Sequence, residues 1–364
     1  MIYLLSLLSI ITSIVLLKII VAWSYKMKVF DSQGGRKIHH GNIPRVGGIA
    51  FVPAAICSFL AFLIILIFNN DTYALGVHDT FIHDAFVMVG AIAIIYVFGI
   101  FDDVIGLRYR VKFGYQILTG LMICFLGIFL WELHGILALY TIPMTFGFVI
   151  TIFLLIFSIN SFNFIDGIDG LSSGIAILSL SYFSVILYLL DNKFFVMAIF
   201  FLCAVLPFFF FNVFGKEVSR TKTFMGDTGS TVLGLVLFLL AVAVNEDINT
   251  VYLHENAFIL GFTPLLLPFY DTISVVFYRL LKGKNPFKAD DNHFHHKLLR
   301  LGLSQHSTLI VELIVFVVIC VSTLFLSNYI NLNIIIGCSL LIWLAINQTL
   351  LVFIKKENNK KLSI

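Results

Sequence analysis

The sequence predicts an all-α polytopic membrane protein. Of its 364 residues, 60% are hydrophobic and only 12% are charged, and the mean hydropathy is +1.03. Soluble globular chains do not have this composition. Apolar runs of about 20 residues, long enough to cross a bilayer as a helix, recur along the chain. We therefore expect residues 1–364 to form a single transmembrane domain.

The apolar runs predict about 11 transmembrane helices. They are expected near residues 2–22, 47–69, 84–101, 115–131, 142–159, 171–190, 194–214, 229–245, 257–280, 308–327 and 332–354. The first run has no basic segment before it and no small-residue cleavage site, which favours a retained helix over a signal peptide. The five cysteines lie within apolar runs without CxxC spacing, so they predict neither disulfides nor a zinc site.

Basic residues predict the orientation of these helices. They fall on alternate loops, and about 21 of the 23 Lys and Arg residues lie on the same side. The intervening loops contain only Lys193 and are otherwise acidic. The positive-inside rule then places the N-terminus outside and the C-terminus in the cytosol. The polar motifs described next all fall on the predicted cytosolic side.

A regular polar stripe follows the fifth apolar run. Four oxygen-bearing side chains recur at every third position: Asn160, Asn163, Asp166 and Asp169. At helical or 3₁₀ pitch, this spacing keeps them on one slowly drifting stripe. Two amides and two carboxylates suit a hard cation such as Mg²⁺. The alternative is an ordinary Asp-Gly turn in which Asn160 caps a helix.

Paired carboxylates end the third apolar run. Asp102 and Asp103 stand where the helix macrodipole disfavours negative charge, so they require compensation. Mg²⁺, or Lys112 and Arg110 in the following turn, would supply it. Such a pair suits metal binding or proton abstraction from a phosphate. An exposed Asp-Asp turn is the alternative.

Two further loops combine basic residues with glycines at a helix entrance. The first contains Lys37, His39 and Arg45 before Gly47 and Gly48, which favours a phosphate site. A basic loop that contacts anionic lipid headgroups is the alternative.

In the second loop, a Gly-Asp-Thr-Gly-Ser segment begins at residue 226. Its backbone donors suit a phosphate, and Asp227 suits the metal that bridges it. The alternative for Asp227 is a plain helix N-cap.

A dense polar patch follows the ninth apolar run. His293, His295, His296 and Arg300 are all donors to phosphate, which favours an anion-recognition loop. A zinc site is less well supported because no run supplies spaced His or Cys partners. A solvated loop with incidental histidines is the third interpretation.

Together these motifs resemble the polyprenyl-phosphate N-acetylhexosamine-1-phosphate transferases over nearly the whole chain. The matching residues are Arg36-Lys37-x-His39, Pro44-Arg45-x-Gly47-Gly48, Asp102-Asp103-x-x-Gly106, Asn160-x-x-Asn163-x-x-Asp166-Gly-x-Asp169-Gly170-Leu171, Gly226-Asp-x-Gly-Ser230 and His293-x-His295-His296. The first loop and the histidine loop look more like the branch that uses UDP-N-acetylglucosamine. That branch starts O-antigen, enterobacterial common antigen or wall teichoic acid.

The resemblance implies a reaction and a cellular location. Undecaprenyl phosphate and a UDP-N-acetylhexosamine would give undecaprenyl-diphospho-N-acetylhexosamine and UMP, with Mg²⁺ required and Mn²⁺ as an alternative. The protein would be a multi-pass protein of the bacterial cytoplasmic membrane with its active site facing the cytosol. Its partners would be the two substrates and membrane lipids, with a homodimer as one arrangement and no nucleic acid. The active site would comprise loops near 23–46, 102–113, 160–171, 215–229 and 281–306.

The resemblance also implies residue roles. The metal ligands would be Asp227, Asn163, Asp102 and Asp103. The catalytic residues would be Asp102, Asp103, Asp166, Asp169 and Asp227. The substrate-binding residues would be Lys37, His39, Arg45, Lys112, Asn160, His293, His295, His296 and Arg300.

Two other functions compete with this one. Acidic residues near helix ends also mark the ion pathways of ion-coupled transporters. A transporter, however, predicts polar residues near the midplane and an inverted repeat, whereas the acids here cluster at one face. An intramembrane aspartyl protease would pair Asp271 with Asp227, but it leaves the Asn-Asp stripe and the histidines unexplained.

Overall fold

The computed structural model describes residues 1–27, 43–68, 79–247, 257–283 and 292–362. Within these ranges the chain is almost entirely helical, which confirms the all-α expectation. The helices are α1 (Ile2–Met27), α2 (Gly47–Phe68), α3 (Asp79–Ile105), α4 (Tyr109–Phe125), α5 (Met144–Ile165), α6 (Leu171–Leu189), α7 (Phe195–Val213), α8 (Gly226–Asn245), α9 (Ala257–Phe262), α10 (Leu266–Leu281), α11 (Phe294–Arg300), α12 (Gln305–Leu326) and α13 (Leu332–Leu362). A 3₁₀ turn, Thr263–Leu265, joins α9 to α10.

Ten segments of the described chain are long and apolar enough to cross a membrane, and one of them is the α9 to α10 stretch, Ala257–Leu281. The 17-residue α4 takes the place of the helix predicted at 115–131, but it begins at Tyr109. Helix α5 runs on to Ile165 rather than ending near 159. Its last turns therefore carry the first half of the Asn-Asp stripe, which the sequence had placed in a loop.

Helix α8 forms the centre of the bundle. Every residue from 228 to 242 is buried, and α2, α3, α5, α6 and α9 all pack against it. The outer helices α1, α12 and α13 expose many of their apolar side chains, as expected of surfaces that face lipid. The N-terminal turn of α8, which contains Asp227, therefore lies where several helix ends meet.

A close helix contact fixes that turn. A Cβ atom on Gly48 of α2 would lie 2.2 Å from the backbone nitrogen of Gly229, so only glycine lets the two backbones touch. Just before these helices, residues 43–46 pair with residues 223–225 in a short parallel bridge that joins Arg45 and Phe224. The amides of Gly47 and Gly48 donate to the carbonyls of Phe224 and Met225, both at 2.9 Å. The bridge brings Arg45 to the start of α8.

We call this end of the bundle the loop face, which comprises residues 43–46, 106–108, 166–170 and 214–225 together with α11. The opposite end, the hairpin face, carries an antiparallel hairpin of β1 (Glu132–Ile136) and β2 (Leu139–Thr141). The hairpin packs on the ends of α8 and α13, where Asn245 donates to the carbonyl of Glu132 at 3.0 Å and Asn333 to that of Gly135 at 2.9 Å. The sequence predicted a short loop here.

Candidate active site

A cation between two carboxylates forms the centre of the loop face. Lys112 Nζ of α4 donates to Asp227 Oδ2 at 2.9 Å and also contacts Asp102 Oδ2 of α3. The Asp102 side chain is only 3% exposed, whereas those of Lys112 and Asp227 are 29% and 23% exposed. The centre is therefore accessible to a ligand from the side of Lys112 and Asp227.

Two other elements complete the surroundings of Asp227. Asn163 Nδ2, on α5, donates to Asp227 Oδ1 at 3.2 Å and to Ser230 Oγ at 3.0 Å. The Arg45 guanidinium lies 3.7 Å from Asp227 Oδ1 and is 40% exposed. Predicted site residues that are far apart in the sequence, Asp102, Lys112, Asn163 and Asp227 among them, thus converge.

Asp103 has a different environment from its neighbour. Its carboxylate accepts hydrogen bonds from the amides of Asp227 and Thr228, at 2.7 and 2.9 Å, and from Thr228 Oγ1 at 2.6 Å. These donors belong to the first turn of α8, where backbone amides lack intrahelical acceptors and the macrodipole favours an anion. Asp103 therefore caps α8 from the end of α3.

This arrangement also explains why two carboxylates are tolerated at the C-terminal end of α3. Asp102 is compensated by Lys112 and by the amide of Leu107, which donates to Oδ1 at 2.8 Å. Arg110, the other candidate from the sequence, instead directs its Nε to the hydroxyl of Tyr109.

Asp166 differs from the other carboxyl groups of the candidate site in its contacts. It follows the last residue of α5 and is partly buried, and no donor or cation in the described chain bonds it. Burial raises the pKa of Asp166 to about 7; the Arg45 guanidinium opposes this increase, and the carboxylates of Asp227, Asp169 and Asp103 add to it. Asp166 is therefore able to exchange a proton near neutral pH.

The rest of the Asn-Asp stripe points elsewhere. Asn160 Nδ2 donates to Gln116 Oε1 of α4 at 2.9 Å and to the carbonyl of Ile156 at 2.7 Å. Asp169 accepts from Lys222 Nζ at 2.6 Å. The stripe thus divides into Asn163 and Asp166, which face the centre, and Asn160 and Asp169, which are engaged by structural partners. The predicted substrate and catalytic roles of Asn160 and Asp169 remain predictions.

The histidines pack against the end of α5. The His293 ring centroid lies 5.8 Å from those of Phe164 and His295, and the rings of His295 and His296 lie 4.2 Å apart. A Cβ atom on Gly167 would lie 2.2 Å from His295 Nε2, so this contact requires glycine. The cluster therefore adjoins the segment that carries Asn163 and Asp166.

His295 is the most enclosed of the three. Burial holds the pKa of His295 well below its ordinary value, and the nearby His296 and His293 rings lower it further. Its Nε2 is buried and lacks a hydrogen-bond partner within the described chain. A neutral ring at this place contributes packing and one open acceptor or donor, but no positive charge at pH 7.

Helix α11 is held by α13. Lys297 Nζ, buried, donates to Asn347 Oδ1, and the rings of Phe294 and Trp343 lie 4.7 Å apart. Arg300 is exposed, and its Nη2 donates to Asn292 Oδ1 at 3.2 Å. Lys37 and His39 lie outside the described residues, so their predicted roles remain predictions.

Sequence reasoning missed Asp271, which it considered only as half of a protease pair. The two aspartates have different partners: Asp271 binds His293, and Asp227 binds Lys112 and Asn163. An acid that follows two prolines within an apolar run was the available signal, since ionisable residues there are usually functional.

The donor set fits Mg²⁺ in the way this ion usually binds. No group of three or more His, Cys, Asp and Glu residues in the described ranges is arranged to hold a metal. However, Mg²⁺ typically uses one or two carboxylates and completes its octahedron with waters and substrate phosphates. Asp227 and Asp102 face the same point, with the Asn163 amide beside them. The four carboxyl groups of the site also outnumber the two nearby cations, Lys112 and Arg45, so a further positive charge would be stabilised there.

The fold and this site define a polytopic membrane protein with carboxylates and cations gathered at one end of a helix bundle. The model of the glycosyl transferase family 4 matches residues 85–245. The chain is 30% identical over 322 residues, 85% of this chain and 80% of the other, to a probable undecaprenyl-phosphate N-acetylglucosaminyl 1-phosphate transferase of Bacillus subtilis.

Enterobacterial proteins show the same similarity. The undecaprenyl-phosphate alpha-N-acetylglucosaminyl 1-phosphate transferases of Yersinia pestis and Escherichia coli K12 are 30% and 27% identical to this chain. Each match covers 79% of this chain and 73% of the relative. The chain therefore belongs to the glycosyl transferase family 4.

Proposed function

We propose that this protein transfers N-acetylglucosamine-1-phosphate from UDP-N-acetylglucosamine to undecaprenyl phosphate, with release of UMP, as the first step of a cell-surface polysaccharide. The observation that carries the proposal is the centre in which Lys112 bridges Asp102 and Asp227 beside Asn163 and Arg45. The relatives named above carry the same activity in their names. Phosphoryl transfer chiefly requires two anions to be positioned and neutralised, which suits this arrangement.

The reaction forms one phosphorus–oxygen bond and breaks another. An oxygen of the prenyl phosphate attacks the phosphate attached to the sugar, and the bond to the uridine phosphate breaks so that UMP leaves. Lys112 and Arg45 neutralise the approaching phosphates. We propose that Asp166 accepts the proton of the prenyl phosphate, because no group in the described chain bonds its carboxyl and burial raises its pKa to about 7.

The contacts of Asp102 and Asp103 favour direct attack of the prenyl phosphate on the UDP-sugar over a mechanism with a covalent enzyme intermediate. Asp103 already accepts three hydrogen bonds from the start of α8, and the Asp102 side chain is almost fully buried beneath Lys112. Neither carboxylate is free to form a covalent phospho-aspartate. Asp227, with Asp102 and Asn163, would hold Mg²⁺, or Mn²⁺ as an alternative. When bound, this ion would neutralise the charge that develops on the diphosphate.

The loop face would then meet the cytosol, where UDP-sugars are made, and the protein would lie in the bacterial cytoplasmic membrane. The prenyl tail would remain in lipid while its phosphate reaches Arg45 and Lys112. A homodimer remains a prediction, which the mass of the detergent-solubilised protein tests.

The test is transfer by purified protein. It would be incubated with undecaprenyl phosphate and radiolabelled UDP-N-acetylglucosamine, with Mg²⁺ or EDTA, and lipid-linked label and UMP would be measured. We expect Mg²⁺-dependent product, lost in Asp227→Asn and weaker with UDP-N-acetylgalactosamine. Asp191→Asn is the matched control, because Asp191 is 87% exposed on the hairpin face and its left-handed backbone tolerates Asn. Release of UDP instead of UMP would contradict the proposal.

A further inference from the structure

Asp271 is a buried carboxylate with both oxygens engaged by one short segment. It lies on α10 and is 3% exposed. Oδ2 lies 2.7 Å from His293 Nδ1, and Oδ1 accepts the amide of Phe294 at 2.9 Å. The second bond caps α11, whose N-cap residue His293 makes no side-chain cap of its own. Asp271 thus fixes both the start of α11 and the ring that precedes it.

This contact also determines which ring nitrogen faces a ligand. An ionised carboxylate only accepts hydrogen bonds, so Nδ1 of His293 must carry a hydrogen. Nε2 is then the nitrogen left for a ligand, and no group in the described chain bonds it. The ring lies 5.8 Å from Phe164, the residue after Asn163, and so stands beside the candidate active site. A buried carboxylate also requires a counter-charge, and His293 is the nearest group able to supply one.

We infer that Asp271 is a positioning residue: it holds the His293 ring by Nδ1 so that, in the protonated ring, Nε2–H donates to a phosphate oxygen of the UDP-sugar. This inference rests on the proposed function and adds to it a residue that acts only through another. The arrangement follows a common pattern, in which a buried carboxylate holds a working histidine by its far nitrogen.

The geometry makes a specific demand on Asp271. Asn at this position retains one acceptor and nearly the same shape, but it has no charge to pair with the imidazolium. We therefore expect Asp271→Asn to lower kcat about 100-fold, as loss of a transition-state interaction does, while KM for undecaprenyl phosphate stays within about twofold. His293→Gln should have the same effect, because it removes the group through which Asp271 acts.

The experiment is a double-mutant cycle on the full-length protein in detergent. kcat and both KM values would be measured for wild type, Asp271→Asn, His293→Gln and the double variant. We expect the double variant to be no slower than either single variant, because the residues act as one unit. Thr272→Val is the matched control. Thr272 is next to Asp271, and its hydroxyl is buried without a hydrogen-bond partner in the described chain, so wild-type kinetics are expected.

Several results would overturn the inference. One is a wild-type kcat for Asp271→Asn. Another is that Asp271→Asn lowers kcat by the same factor in the His293→Gln variant as in the wild type. If Asp271→Asn does not fold, Asp271→Glu should still transfer with reduced kcat; failure of both to fold would show a purely structural role. A wild-type protein that transfers no sugar phosphate would instead remove the proposed function, and with it the reaction that this positioning serves.

Discussion

Lys112 is the side chain that balances charge at the centre of the candidate site. Its ammonium contacts Asp102 and lies 2.9 Å from Asp227, and both carboxylates belong to helix ends. Without this cation, the two carboxylates would repel each other, and Arg45 alone would offset their charge for an incoming phosphate. The same ammonium therefore serves the folded structure and the substrate.

Replacement of Lys112 by Met tests this role. We predict that Lys112→Met lowers kcat/KM at least about 100-fold, since a charged contact to the transferring phosphate is lost. Lys112→Arg should retain a larger fraction of the wild-type kcat/KM, because the positive charge remains. The planar guanidinium of Arg still cannot reproduce the compact contact that the Lys ammonium makes. Initial rates at several concentrations of each substrate provide the measurement. Equal rates for Met and Arg variants would show that charge at this position is irrelevant.

Asp166 predicts a pH dependence. Burial raises the pKa of Asp166 to about 7, and a general base works only when ionised. Activity should therefore fall as pH decreases through about 7 and level off above it. The Arg45 guanidinium lowers this pKa, so in Arg45→Gln the fall in activity on the acidic side of the profile should occur at higher pH. The pH–rate profile of kcat/KM is the measurement, with Asp191→Asn as control. If kcat/KM falls at the same pH in Arg45→Gln as in the wild type, the pH dependence does not arise from Asp166.

At the scale of elements, the start of α8 is held from three sides. Asp103 at the end of α3 binds its amides, residues 43–46 pair with the strand-like segment before it, and Gly48 of α2 touches Gly229. Asp227 is thus positioned by neighbouring helices rather than by its own turn. Small displacements of α2 should be transmitted directly to the site.

Gly48→Val tests that dependence. Its new Cβ would meet the backbone of Gly229 at 2.2 Å, which no rotamer change relieves. Overpacking of this kind costs about 1–3 kcal/mol, and here it also separates Arg45 from Asp227. We predict a lower unfolding temperature and loss of transfer. Gly337→Ala on α13 is the matched control, because nothing lies within 4 Å of its added Cβ and Ala favours a helix. Equal stability of the two variants would contradict the contact.

The sequence predicted the helices and most of the centre, for identifiable reasons. Hydropathy located the spans, and the charge pairing of Asp102 with Lys112 followed from helix-end electrostatics. A window of hydropathy cannot show that α5 continues through Asn160, because that amide is satisfied by Gln116 on another helix. Likewise Asp169 and Asp271 depend on distant partners, Lys222 and His293, which no local spacing reveals. The hairpin at the end of α8 was missed for the same reason.

For the whole molecule, the site is a meeting of helix ends. Arg45 precedes α2, Asp102 ends α3, Lys112 begins α4, Asn163 ends α5 and Asp227 begins α8. None of these helices carries a complete site, and α8 is buried by the others along its length. The candidate site therefore needs several helices of the bundle at once, and the single transmembrane domain stays a prediction. Both substrates must meet at one end of it.

That geometry predicts which end faces the cytosol. The loop between α7 and α8 carries Lys216, Arg220 and Lys222, whereas the hairpin face carries acids such as Asp191 and Glu246, so the positive-inside rule puts the loop face in the cytosol. Two exposed positions report on the two ends: Val218 in that loop is 98% exposed, and Leu137 at the hairpin tip is 79% exposed.

Labelling of Val218→Cys and Leu137→Cys with a membrane-impermeant maleimide tests the orientation. We expect Leu137→Cys to react in intact cells, or in spheroplasts where an outer membrane is present, and Val218→Cys to react only after the membrane is permeabilised. The wild-type protein is the background, because its five cysteines all lie within helices α2, α4, α7, α12 and α13. The reverse pattern would put Lys112 and Asp227 on the side without UDP-sugars, and the proposed reaction would then have no donor.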